Sequence, residues 1–99
     1  MMKTTNRKIL LLIPLLLFFL SLSSIADEKS DGQQIFKQKC SLCHAIEKKK
    51  LGPAVKSMSR ETEILRMTIA KGKNSMPSYE RELSGVEINR LVKYLLAMQ

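Results

Sequence analysis

The sequence predicts a small all-α domain, and three observations predict it. Ile88, Leu91, Val92, Leu95 and Leu96 repeat at i, i+3, i+4, i+7 and i+8, the apolar stripe of an amphipathic helix. No stretch of the chain alternates apolar and polar residues as a half-buried strand would. A chain of 99 residues, with no internal repeat, allows one domain only.

The first 26 residues read as an export signal, and residues 27–99 as the domain. Lys3, Arg7 and Lys8 form a positive start, and Ile9 to Leu20 is apolar throughout. Ser24-Ile25-Ala26 is a small-x-small cleavage site, which places the mature start at Asp27. The alternative is an uncleaved leader that anchors the chain to the outer face of the plasma membrane. The most apolar part falls short of the ~20 residues a spanning helix needs, which favours cleavage. Three of the 17 Lys+Arg leave with the leader, so 14 remain against 9 Asp+Glu, a net charge of +5.

Residues 27–30 are a polar lead-in, and a helix begins near Asp31. Ser30 with Gln33, or Asp31 with Gln34, has capping-box spacing. Ile35 and Phe36 are the apolar contacts of this helix, and Lys37, Gln38 and Lys39 are solvated. Gly32 and Phe36, four apart, share one face. Gly32 either admits another backbone closely or simply opens the helix.

The helix runs into Cys40-Ser41-Leu42-Cys43-His44, and C-x-x-C-H is an attachment site for a c-type haem. Two thiols at this spacing can each add across one vinyl group on a haem edge. The adjoining imidazole then reaches the iron as proximal ligand. Ser41 and Leu42 are spacers. The chain holds two Cys and one His, and all three fall in this pentapeptide. A thioredoxin-like dithiol needs a βαβ context that is absent from the pattern. Structural zinc needs four ligands, and these three are crowded too closely. A disulfide over so short a loop would constrain almost nothing.

Lys48-Lys49-Lys50 forms a solvated turn, and Gly52-Pro53 breaks the chain. The carbonyl of a rigid Pro turn suits the other N–H of a ligand His. Ser59 begins the next helix as its N-cap, with Glu61 and Glu63 in the first turn. Ile64, Leu65, Thr68 and Ile69 are its buried stripe, Met67 is packing, and Gly72 caps its end. Asn74 to Tyr79 is a loop, where Met76 belongs to no apolar stripe. A thioether is a soft iron ligand that raises the reduction potential, and Pro77 stiffens the loop holding it. Met58 and Met98 are competitors for that role. The last helix opens with a capping box, Ser84 with Glu87, and a hydrophobic staple, Leu83 with Ile88.

With these residues placed, the chain resembles the class I mono-haem cytochromes c, especially the small bacterial ones, from Gly32 to Leu96. The resemblance implies three to four helices wrapped around one covalently attached haem c, with the first and last helices crossing. It matches Gly32, Phe36 and Tyr94 to that crossing, with Leu91 against Gly32. It matches Pro53 to the carbonyl that accepts from the ligand His44, and Met76 to the axial methionine. Members often use a Trp on a haem propionate. This chain has none, which leaves Asn74, Tyr79 or a basic side chain for that place.

The expected function is periplasmic electron transfer without catalysis, since two protein ligands leave the iron no open position. Lys37, Lys39, Lys48, Lys49, Lys50, Lys71 and Lys73 form either a positive collar for acidic redox partners or a solvated surface. The charge is modest for nucleic acid, and export puts the chain in the wrong compartment for it. Two rivals remain: an open-site haem protein, gas-sensing or peroxidase-like, and a dedicated haem subunit of a larger oxidase or reductase. So small a domain without disulfides needs its haem as a staple.

Overall fold

A computed structural model describes residues 31–99. The leader, its cleavage site and the Ser30 cap lie outside the described residues. Helix α1 covers residues 31–40, α-helical over 31–35 and π-helical over Phe36–Cys40. A single 3-10 turn follows at Val55–Ser57. Helix α2 is Thr62–Lys71 and helix α3 is Gly85–Ala97. Among the described residues there is no strand, only an isolated bridge between Lys73 and Met76. None of these helices is long and apolar enough to cross a membrane.

Helix α3 is the spine of the core. The Ser84 hydroxyl accepts from the Glu87 amide at 3.1 Å, and the Glu87 carboxylate accepts from the Ser84 amide at 2.9 Å. That reciprocal pair is the predicted capping box. Ile88, Leu91, Val92, Tyr94 and Leu95 are buried, and Leu96 is partly buried. Leu83 is buried just before the cap, as a staple requires.

Helix α1 crosses this spine at Gly32. A Cβ there would run into the Arg90 carbonyl oxygen and would come within 2.8 Å of Tyr94 Cβ. Close approach is therefore the reason for this glycine, rather than helix initiation. The atoms nearest to that Cβ belong to Arg90 and Tyr94, one residue before and three after Leu91. One turn on, the Phe36 and Tyr94 rings lie 5.7 Å apart and tilted by 50°. Such pairs add about 0.5–1.5 kcal/mol beyond the area they bury. Asp31 reaches across to Arg90 at 2.8 Å.

Helix α2 starts later than expected. The Ser59 hydroxyl accepts from the Glu61 amide at 3.1 Å, a local turn that holds the approach, and the first helical residue is Thr62. The residue before the helix is Glu61, whose side chain makes no cap. A Ser can bind a nearby amide without starting a helix, and this one does so. The expected stripe also divides. Leu65 and Ile69 are buried in the core, whereas Ile64 is 48% exposed. Met67, expected to pack, is 56% exposed.

The end of α2 follows its sequence. Gly72 has φ 79°, and its amide donates to the Thr68 carbonyl at 2.8 Å. A Cβ there would also approach Met76 O to 2.6 Å. Gly72 thus ends the helix and lets the following loop fold back on it.

Candidate functional site

The Cys40–His44 segment forms a tight turn at the end of α1. The Cys40 carbonyl accepts from both the Cys43 amide (3.1 Å) and the His44 amide (2.9 Å). Ser41 is more than the expected spacer: its hydroxyl donates to the Lys37 carbonyl at 2.7 Å, and its carbonyl accepts from Lys50 Nζ at 2.8 Å. Leu42 is 81% exposed, as a spacer can be.

The chain then folds back along this turn. Cys43, Ala45 and Ile46 carbonyls accept from the Gly52, Val55 and Lys56 amides at 2.8, 2.9 and 3.2 Å. This short ladder brings Pro53 O to 2.9 Å from His44 Nδ1. With Nδ1–H donated to that carbonyl, Nε2 keeps its lone pair. No described residue bonds Nε2, and the ring is buried. Gly52 packs flat on the imidazole: a Cβ there would collide with Cε1 and stand 2.7 Å from Nδ1.

Met76 is positioned from the other side. Lys73 and Met76 exchange amide–carbonyl bonds of 3.1 and 2.9 Å, which closes a turn with Asn74 at φ 54°. The Ser78 hydroxyl donates to Ala70 O at 2.5 Å, and the Tyr79 amide to Ile69 O at 3.1 Å. The loop is thereby fastened to the end of α2.

Cys40, Cys43, His44, Pro53 and Met76 all line one cavity of about 760 Å³. Leu65 and Ile69 of α2 and Leu91 and Leu95 of α3 contribute to its apolar wall. Ile64 and Thr68 line it too, which is where the exposed half of the α2 stripe goes. Met58 also lines the cavity, while Met98 packs against the core and is not among the lining residues. Lys39, Lys73, Asn74 and Tyr79 are among the polar residues of the wall.

Cys40 and Cys43 form no disulfide with each other. Burial pushes the Cys40 thiol from 9.0 up to about 11, and the nearby Cys43 adds to the effect. Burial likewise raises the Tyr79 hydroxyl, helped by the negative charge Cys40 would carry. Among the described residues no three His, Cys, Asp or Glu side chains converge as a metal-ion cluster.

Of the candidate collar, Lys39 pairs with Glu82 at 3.3 Å and Lys71 with Glu80 at 2.8 Å. Lys37, Lys48 and Lys49 are exposed. The Tyr79 hydroxyl donates to Lys39 O at 3.1 Å, so its proton is committed and it is a poor donor to a propionate. That bond and the π-helical turn ahead of Cys40 were not foreseen from sequence.

A family model described as cytochrome c oxidase, cbb3-type, subunit III matches residues 27–95. Among solved structures, cytochrome c6 from the diatom Phaeodactylum tricornutum superposes with a TM-score of 0.61 at 29% identity. That alignment covers 70% of this chain and 91% of the diatom protein. No curated protein matches.

The residues present fit a c-type haem. The cavity has the size and apolar lining of a cofactor site. Its wall carries both thiols and a buried imidazole already oriented through its other nitrogen. Gly52 leaves the face of that imidazole clear, where any side chain would push it aside.

Proposed function

On the premise that this chain belongs to the cytochrome c family of the cbb3-type oxidase subunit III, we propose that it is an exported carrier of single electrons with His44 and Met76 as axial ligands. The chain holds one covalently attached c-type haem and serves haem-based electron transfer. When bound, that group supplies an iron that alternates between ferrous and ferric forms.

The chain's own residues do the rest. Cys40 and Cys43 tether the haem edge through their sulfurs, so the cofactor cannot be lost on dilution outside the cell. His44 donates a hydrogen bond from Nδ1–H to Pro53 O, which fixes the ring and leaves Nε2 to face the iron. Met76 offers a neutral thioether, and the apolar wall of Leu65, Ile69, Leu91 and Leu95 keeps water out. Both features favour the ferrous form and a high potential. Lys39 and Lys73 beside the opening draw in redox partners with acidic docking patches. The pairs of Lys39 and Lys71 with Glu82 and Glu80 reduce that field.

The observation that carries this reading is the convergence of Cys40, Cys43, His44 and Met76 on one apolar cavity. The test is carbon monoxide added to the reduced, haem-loaded protein. The unsubstituted protein is expected to show no spectral change and Met76→Ala to bind at once. Rapid binding by the unsubstituted protein would establish an open-site haem protein instead. If Met58→Ala rather than Met76→Ala opens the site, Met58 is the ligand.

The family's description favours a second reading, a dedicated haem subunit of a larger oxidase. Native mass after gentle extraction separates the two: the carrier runs at the mass of one small chain, the subunit with its complex.

A further inference from the structure

We propose that Tyr79 latches the Met76 loop to helix α1, through a carbonyl that the π-helical turn leaves free. The inference rests on the reading of Met76 as the second iron ligand.

In a continuing α-helix the Lys39 carbonyl would accept from the Cys43 amide, four residues on. Here Phe36–Cys40 is wound as a π-helix, and the Ser41 amide reaches back five residues to Phe36 O at 2.9 Å. The turn then tightens, and the Cys43 and His44 amides both bond Cys40 O. Among the described residues, no backbone amide donates to Lys39 O. A carbonyl orphaned at a helix end needs a partner, and the Tyr79 hydroxyl supplies it at 3.1 Å.

Tyr79 is well placed to hold rather than follow. Its amide donates to Ile69 O at 3.1 Å, and its carbonyl accepts from the Leu83 amide at 2.9 Å. Only Pro77 and Ser78 separate it from Met76, and Ser78 is itself tied to Ala70. Lys39 is the residue before Cys40. One hydrogen bond therefore joins the segment bearing the sulfur ligand to the segment bearing the first thiol. The Lys39–Glu82 pair spans the same gap, but both side chains are largely exposed and such pairs contribute little. Tyr79 is thus a positioning residue that limits how readily Met76 swings away from the cavity.

The experiment uses haem-loaded protein and three variants: Tyr79→Phe, Glu82→Gln and Met76→Ala. Imidazole affinity of the oxidised form, reduction potential and melting temperature are measured for each. Tyr79→Phe keeps the ring and removes only the hydroxyl. It is expected to bind imidazole about fivefold more tightly than the unsubstituted protein, the equivalent of one ordinary net hydrogen bond. Its potential is expected to fall toward that of Met76→Ala, and Glu82→Gln to match the unsubstituted protein. Equal imidazole affinity in Tyr79→Phe and the unsubstituted protein overturns the latch, whether or not the melting temperature drops. So does a Glu82→Gln that reproduces the Tyr79→Phe effect. If the unsubstituted protein already binds imidazole as tightly as Met76→Ala, the ligand assignment itself fails, a result distinct from both.

Discussion

His44, Gly52 and Pro53 behave as one unit, although only the histidine has chemistry of its own. The Pro53 carbonyl accepts a hydrogen bond from Nδ1–H and Gly52 gives the ring its resting surface. The collision a methyl group at Gly52 would cause predicts that Gly52→Ala costs about 1–3 kcal/mol, the usual penalty for overpacking. Melting of the haem-loaded variant and its yield of attached haem check this, and a variant that melts like the parent would contradict it. At this scale the sequence was readable where partners are near neighbours. A Gly-Pro break nine residues after His44 suggested its acceptor. The Tyr79 hydroxyl and Lys39 carbonyl stand forty residues apart, and no local spacing rule connects them.

Helices were legible where their caps were reciprocal and misjudged where they were not. Ser84 and Glu87 satisfy each other's amides, and the start of α3 fell where the motif put it. Ser59 had a plausible spacing to the following acids, but its hydroxyl took the Glu61 amide two residues on, and α2 began at Thr62. The π-helical turn has no composition signal, since it depends on where the Cys40–His44 segment must be aimed. Two substitutions test these elements. Ser84→Ala is expected to cost about 1 kcal/mol, a fall in melting temperature of roughly 4–8 °C for a domain this small. Gly32→Ala gains about 0.5–1 kcal/mol of helix propensity but drives a methyl into Arg90 and Tyr94. Overpacking of about 1–3 kcal/mol outweighs the gain, so a net loss is expected. Urea melts of the two variants give both values directly.

At the scale of the whole domain, the core formed by α1, α2 and α3 borders the cavity that Cys40, Cys43, His44 and Met76 line, and the same helices supply its wall. Emptied of its haem, that cavity leaves Leu51 and Ile64 of its lining in water, and so small a domain has little else to hold it. The unloaded chain is therefore expected to lose most of its helicity by far-UV circular dichroism, and a double Cys→Ala form with full native helicity would contradict this. Thiol chemistry gives a second measure. The folded geometry holds the Cys40 thiol at about 11 against an ordinary 9.0. An unfolded chain releases that proton first as the pH rises, so whatever fold the unloaded chain retains is lost further as the pH rises from 9.0 to about 11. Alkylation of the unloaded chain should accordingly follow the ordinary thiol value. The His44 side of the cavity is sewn together by bonds between near neighbours, from Cys43–Gly52 to Ile46–Lys56. The Met76 side meets the segment that bears Cys40 only across forty residues, through the Tyr79 hydroxyl on Lys39 O. Closing a short loop costs little entropy and closing a long one more. Under heat or denaturant, then, the jaw that carries sulfur gives way while the jaw that carries nitrogen still grips.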